Sequence, residues 1–256
     1  MKQESSPLLI NKDKGIWTLT INRPKKMNAL TPEVLEKLFT ALEAAGDNAD
    51  TCAVVLRGAG EKAFCSGFDI SHLNPAGEKG DPMEDMVQAI RNCAVPVIAM
   101  IHGYCIGGGC GLALACDIRL ADTNARLGIT AAKMGVVYPP SALRSLMDAV
   151  GVPAAKDLLF TARLVDAEEA ARIGLVHRVV PPEQLPAVTL EIALGIASNS
   201  GRSVRGIKQL IHRLQESRAV ADQYFAELQR RGTTALDLAE GKNAFFEKRP
   251  PDFKTS

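Results

Sequence analysis

Two glycine-bearing segments have the types and spacing that could do chemistry: Phe64-Cys65-Ser66-Gly67-Phe68-Asp69-Ile70 and Gly103-Tyr104-Cys105-Ile106-Gly107-Gly108-Gly109-Cys110-Gly111. Each follows a strand-like run and leads into a helical one. Glycine lets the backbone approach a ligand closely, and a helix start presents N–H groups without intrahelical acceptors at the positive end of the dipole. Two such N–H groups converging from two loops would form an oxyanion hole, which stabilises a carbonyl oxygen as it gains negative charge. The plain alternative is a pair of tight turns.

Other constellations fit less well. The glycines do not form G-x-G-x-x-G, and Ala131 stands where an acidic ribose ligand would close the next strand of a dinucleotide fold. The P-loop and the G-x-S-x-G nucleophile elbow are missing too. The six cysteines, at 52, 65, 93, 105, 110 and 116, have no C-x-x-C pairing and read as packing thiols. His102, His177 and His212 are unclustered, so they read as structural, and no metal site is expected. His72 could face a pocket as a proton carrier or sit at the surface. Asp81, Glu84 and Asp85 open a helix after Gly80 and complement its dipole, with a carboxylate delivered to a site from this segment as the alternative.

These loops need a scaffold, and the surrounding patterns provide one. Trp17 to Ile21, Ala53 to Leu56, Pro96 to Ile101, Cys116 to Ala121 and Leu175 to Val180 read as strands. Between the first two, Thr31 caps a helix, Pro32 fits its first turn, and Val34, Leu35, Leu38 and Leu42 recur at helical spacing. That βαβ alternation implies an α/β fold with a mostly parallel sheet. Asp166 with Glu169 forms a capping box before an Ala-rich helix ending at Gly174, and helical patterns cover Pro182 to Asn199 and Arg202 to about Glu240. No internal repeat is evident.

A length of 256 residues with 46% hydrophobic side chains supports a substantial core and excludes disorder along the whole chain. A net charge of +1 gives no global attraction to nucleic acid or anionic lipid, so an anionic ligand must be met locally. The N-terminal residues lack a signal-peptide core and apolar runs such as Val95 to Ile101 are too short to span a bilayer, so a cytoplasmic location without membrane or nucleic-acid partners is expected.

Taken in order and spacing, Asn22-Arg23-Pro24-Lys25-Lys26-Met27-Asn28-Ala29-Leu30, Phe64 to Ile70, His102 to Asp117 and Ala170 to Val180 resemble the enoyl-CoA hydratase/isomerase (crotonase) superfamily, from about residue 8 to residue 253. The resemblance implies an α/β crotonase-like spiral of ββα units over residues 1–195 and a helical C-terminal trimerisation region over 196–256. It also implies a homotrimer or a homohexamer. Carried over by position, the N–H groups of Phe68 and Gly108 would form the oxyanion hole for an acyl-CoA thioester. Phe68, Asp69 and Ile70 would line the adenine site, and Lys25 or Lys26 would lie near the CoA phosphates, a solvated charge pair being the alternative. No cofactor is implied beyond the coenzyme A carried by the substrate.

The departures bear on the reaction. Hydratases of this superfamily carry glutamates where this chain has Gly111 and Ala131, and neither residue can transfer a proton. Restoring glutamate at both positions is expected to raise hydration if the pocket is otherwise intact. The stretch Thr130 to Tyr138 followed by Pro139-Pro140, and the C-terminal Glu240 to Arg249, are similar to methylmalonyl-CoA decarboxylases, which carry histidine where Phe68 stands. Tyr138 and Thr130 are accordingly the candidate polar groups at the reacting carbons, and a decarboxylase-like reaction is the leading expectation. A hydratase or isomerase with a relocated base, and a catalytically silent acyl-CoA-binding protein, remain the alternatives.

Overall fold

The computed structural model describes residues 6–72, 82–216 and 235–251. A six-stranded sheet contains β1 (Leu8–Asp13), β2 (Ile16–Ile21), β3 (Ala53–Gly58), β5 (Val97–Ile101), β7 (Ile118–Asp122) and β10 (Arg178–Val180), neighbours in that order. All pairs are parallel except β1 with β2. A second sheet orders β4 (Ala63–Cys65), β6 (Tyr104–Ile106), β8 (Arg126–Gly128) and β9 (Val165–Asp166).

The topology contains the repeat that the sequence conceals. A long strand enters the first sheet, a short one enters the second, and a helix follows. The unit recurs as β3, β4 and α2 (Pro82–Asn92), then β5, β6 and α3 (Gly108–Ala115), then β7, β8 and α4 (Pro140–Thr161). The family resemblance had implied this spiral. Its short strands escape periodicity analysis because three residues do not establish an alternation.

Strand residues alternate between two cores. Val54, Leu56, Val97, Ala99 and Ile101 face the larger core with α1 (Pro32–Asp47), α2 and α3. Ala53, Val55, Ile98 and Met100 face a smaller core closed by α6 (Leu185–Ala197). Burial on both faces explains why β3 and β5 read as unbroken apolar runs.

The helix caps expected from the sequence are present in part. The Thr31 hydroxyl accepts from Val34 N at 3.3 Å to cap α1. Asp166 accepts from Glu169 N at 2.8 Å to cap α5 (Ala167–Arg172), but the Glu169 carboxylate turns to Arg163 instead of closing the box. β1 carried no strand signal, because beyond Leu8 its side chains are exposed. The boundary expected after residue 195 falls inside the last turn of α6. Further on, α7 (Gly201–Glu216) is tied back to the core, with Arg205 donating to the carbonyls of Gly46, Asn48 and Thr51. α8 (Ala235–Glu247) packs on the 3-10 turn Ala131–Met134, where a Cβ at Gly241 would sit 2.6 Å from the Met134 backbone. Among the described residues, no helix is long and apolar enough to cross a membrane and no group of His, Cys, Asp or Glu could hold a metal ion.

Candidate active site

The first glycine loop is held from behind by the segment 22–30. Leu30 N donates to Gly67 O at 2.8 Å, and Asp69 N donates to Leu30 O at 2.8 Å, a parallel bridge between Leu30 and Phe68. In that pattern the bridging residue directs its own N–H to the opposite side. Phe68 N–H accordingly points away from segment 22–30, and among the described residues it donates no hydrogen bond. Asn28, fully buried, fixes the clamp: its amide donates to Ala59 O at 2.9 Å and Ala63 O at 2.6 Å and accepts from Arg23 N at 3.0 Å. The Arg23 guanidinium then joins the two segments, reaching Ala29 O at 2.6 Å and Asp69 Oδ2 at 3.1 Å. Hydrogen bonding from the Ser71 hydroxyl, reinforced by Arg23, holds the Asp69 carboxyl below the usual carboxylate range.

The second loop delivers the start of α3 to the same place. Gly107 at φ 54° turns the chain, its N–H donates to Gly128 O at 2.8 Å, and Gly108 opens the helix with its N–H unpaired among the described residues. A Cβ at Gly67, whose φ is +97°, would lie 3.0 Å from Gly108 N. A Cβ at Gly109 would lie 2.2 Å from Cys65 O. Close seating of this kind demands glycine and brings the helix start against the loop that carries Phe68. Two outward N–H groups on touching loops are the makings of an anion-stabilising pair.

Three side chains cover the exposed face of these glycines. The Phe68 ring lies over Gly108, 2.8 Å from where a Cβ would be, and so walls the site. The Tyr138 hydroxyl donates to Gly107 O at 3.1 Å and lies 2.4 Å from a Cβ built on Gly111. Met83 spans both, with Sδ 2.8 Å from the Gly111 Cβ position and Cε 3.3 Å from that of Gly108. The expectation that glutamates at 111 and 131 raise hydration holds for an otherwise intact pocket, and the face of Gly111 is occupied. The space at Gly111 already holds the tyrosine hydroxyl and the thioether, so no side chain enters unless they move.

The remaining sequence candidates scatter around this centre. Thr130 is half-buried at the head of the Ala131–Met134 turn; its hydroxyl has no hydrogen-bond partner among the described residues, so it is not bonded to Tyr138. Lys25 and Lys26 are exposed on the 3-10 turn Pro24–Lys26, and Ile70 begins the turn after Asp69. Glu84 and Asp85 sit in the first turn of α2, while Asp81 and the His72 side chain lie outside the described residues. His177 Nδ1 accepts from Arg119 N at 2.9 Å, a structural role. His102 is buried, and desolvation lowers its pKa. Burial pushes the Cys65 thiol up to about 12, so it packs as a neutral group beneath the first loop. Arg23, Asn28 and Met83 escaped the sequence reading. The first two lie in a segment noted for its lysines; Met83 carried no signal, since a methionine in a helical pattern reads as core.

The family model described as enoyl-CoA hydratase/isomerase matches residues 11–256. A short-chain-enoyl-CoA hydratase of Clostridium acetobutylicum is 35% identical, over 96% of this chain and 97% of that protein. A crotonyl-CoA hydratase of Syntrophomonas wolfei is 34% identical over the same shares of the two chains. Among solved structures, a methylmalonyl-CoA decarboxylase in complex with 2-nitronate-propionyl-CoA superposes with a TM-score of 0.91 at 26% identity, covering 97% of this chain and 98% of that one. Matching family, near-complete coverage and the two glycine loops agree, and this chain is an enzyme of the enoyl-CoA hydratase/isomerase (crotonase) family.

Proposed function

We propose that the protein binds an acyl-CoA thioester, grips its carbonyl oxygen with the N–H groups of Phe68 and Gly108, and decarboxylates a malonyl-type acyl group. The carrying observation is the Tyr138 hydroxyl, held at Gly111 within one helical turn of Gly108 in a chain with no glutamate at 111 or 131. Loss of carbon dioxide leaves the bonding electrons on the α carbon and, by delocalisation, on the thioester oxygen. An enolate forms without a protein base, and a proton from water completes the product. Two N–H donors stabilise that oxygen more as its charge grows, which is what lowers a barrier. Once turned from Gly107 O, the Tyr138 hydroxyl would join that of Thr130 in holding the departing carboxylate out of the thioester plane, where glutamates would repel it. Close likeness to a methylmalonyl-CoA decarboxylase supports this reading.

Phe68, Asp69 and Ile70 would then border the adenine, and Lys25 or Lys26 the CoA phosphates. The exposed stripe Ile207, Leu210, Ile211 and Leu214 on α7 supports burial in a homotrimer or homohexamer, and a cytoplasmic location fits a CoA-dependent reaction. Hydration is the second reading, favoured by relatives named as hydratases. The test is turnover of methylmalonyl-CoA against crotonyl-CoA by the wild type and Tyr138→Phe. Decarboxylation that falls at least about tenfold in Tyr138→Phe supports the proposal. Efficient hydration without decarboxylation overturns it.

A further inference from the structure

Met83 stands where neither the proposed decarboxylation nor the oxyanion pair requires it, yet it touches the site at both ends. It lies on the first turn of α2, 3% exposed, with Met86, Val87 and Ile90 continuing the same buried face against α3. Its thioether runs along the face of α3: Sδ and Cε lie 2.8 and 3.0 Å from a Cβ at Gly111, and Cε lies 3.3 Å from a Cβ at Gly108. The Phe68 ring closes one end of this strip and the Tyr138 hydroxyl the other. A carbonyl gripped by Phe68 N and Gly108 N would place its acyl carbons beside this strip, where the thioether takes up the space.

From this geometry we infer that Met83 is the ceiling of the acyl pocket and a specificity-determining residue that restricts the enzyme to short acyl groups with small α substituents. The inference rests on acyl-CoA binding at the oxyanion pair. Phe68 and Tyr138 are held in place, one by the Leu30 bridge of its backbone and the other by its hydrogen bond to Gly107. Met83 has an unbranched, three-torsion side chain, so it is the member of the wall whose length and mobility set the space. Truncating it lengthens the strip without touching the backbone N–H pair.

The experiment measures binding of butyryl-CoA, hexanoyl-CoA and octanoyl-CoA, saturated thioesters that cannot lose carbon dioxide, by titration calorimetry. Wild type, Met83→Val, Met83→Ala and Met83→Leu are compared, with thermal melts reporting folding. A hydrophobic pocket changes selectivity by roughly 10-fold or more per methylene of misfit. The octanoyl-to-butyryl affinity ratio is expected to rise at least about tenfold in Met83→Ala and less in Met83→Val, and to stay within about twofold in Met83→Leu, which conserves volume. Should Met83→Ala fail to fold, the Met83→Val ratio decides alone. An unchanged ratio in a folded, truncated variant overturns the role of Met83. Wild type that binds these thioesters no better than free CoA overturns the acyl-CoA reading instead.

Discussion

Gly111→Ala isolates the feature on which the reading of the site depends. The new methyl would lie 2.4 Å from the Tyr138 hydroxyl oxygen, about 1 Å inside ordinary van der Waals contact. Against this, alanine gains about 1 kcal/mol over glycine inside a helix. Overpacking costs roughly 1–3 kcal/mol, and displacing the hydroxyl weakens its bond to Gly107 O, a net contribution of about 1 kcal/mol. The expected result is destabilisation of about 1–3 kcal/mol in the single variant. Tyr138→Phe alone should cost about 1 kcal/mol, because Gly107 O keeps its bond from Gly111 N. In the double variant the clashing oxygen is gone and Met83 can shift, so it should be more stable than the two single effects combined by about 1–2 kcal/mol. Urea unfolding of all four proteins at matched protein concentration gives the coupling. Additivity within about 0.5 kcal/mol would mean that the hydroxyl does not occupy the face of Gly111, and the argument from its position would fail.

Three further outcomes are expected. Arg23→Ala cuts the link between the segment 22–30 and the loop that positions Phe68, so turnover should fall while the protein stays folded and loses about 1.5–3 kcal/mol; a variant with wild-type turnover and melting temperature would count against the clamp. Crotonyl-CoA hydration should be slower than in a hydratase by about 10²-fold or more, measured by loss of enoyl absorbance, and Gly111→Glu with Ala131→Glu should gain little unless Tyr138 is also truncated. Burial lowers the pKa of both His102 and His177, with Arg57 and Arg119 respectively adding repulsion. The folded state therefore binds fewer protons than the unfolded one below the ordinary histidine pKa, and stability present above about pH 6.5 should fall as pH drops toward each folded-state value. Denaturation midpoints that stay constant between about pH 7 and pH 5 would contradict this.

The sequence alone determined the elements whose signals are local. Thr31 with Pro32 and the leucine spacing marked α1, and Asp166 marked α5, because caps and amphipathic periods are written within a few consecutive residues. The glycine loops were legible for the same reason: one glycine after another between a strand and a helix has few uses. Only the tertiary structure decided what surrounds them. That Asn28 and Arg23 brace the Phe68 loop depends on residues tens of positions apart meeting across segments, for which no period exists. That Gly111 leaves space filled by Tyr138 and Met83 could not be read from its identity, since a missing glutamate looks the same whether the vacated volume is open or occupied. Backbone N–H groups leave no mark in side-chain identity, so the loops could be found by their glycines, while the direction of each N–H followed from the Leu30 bridge and the start of α3.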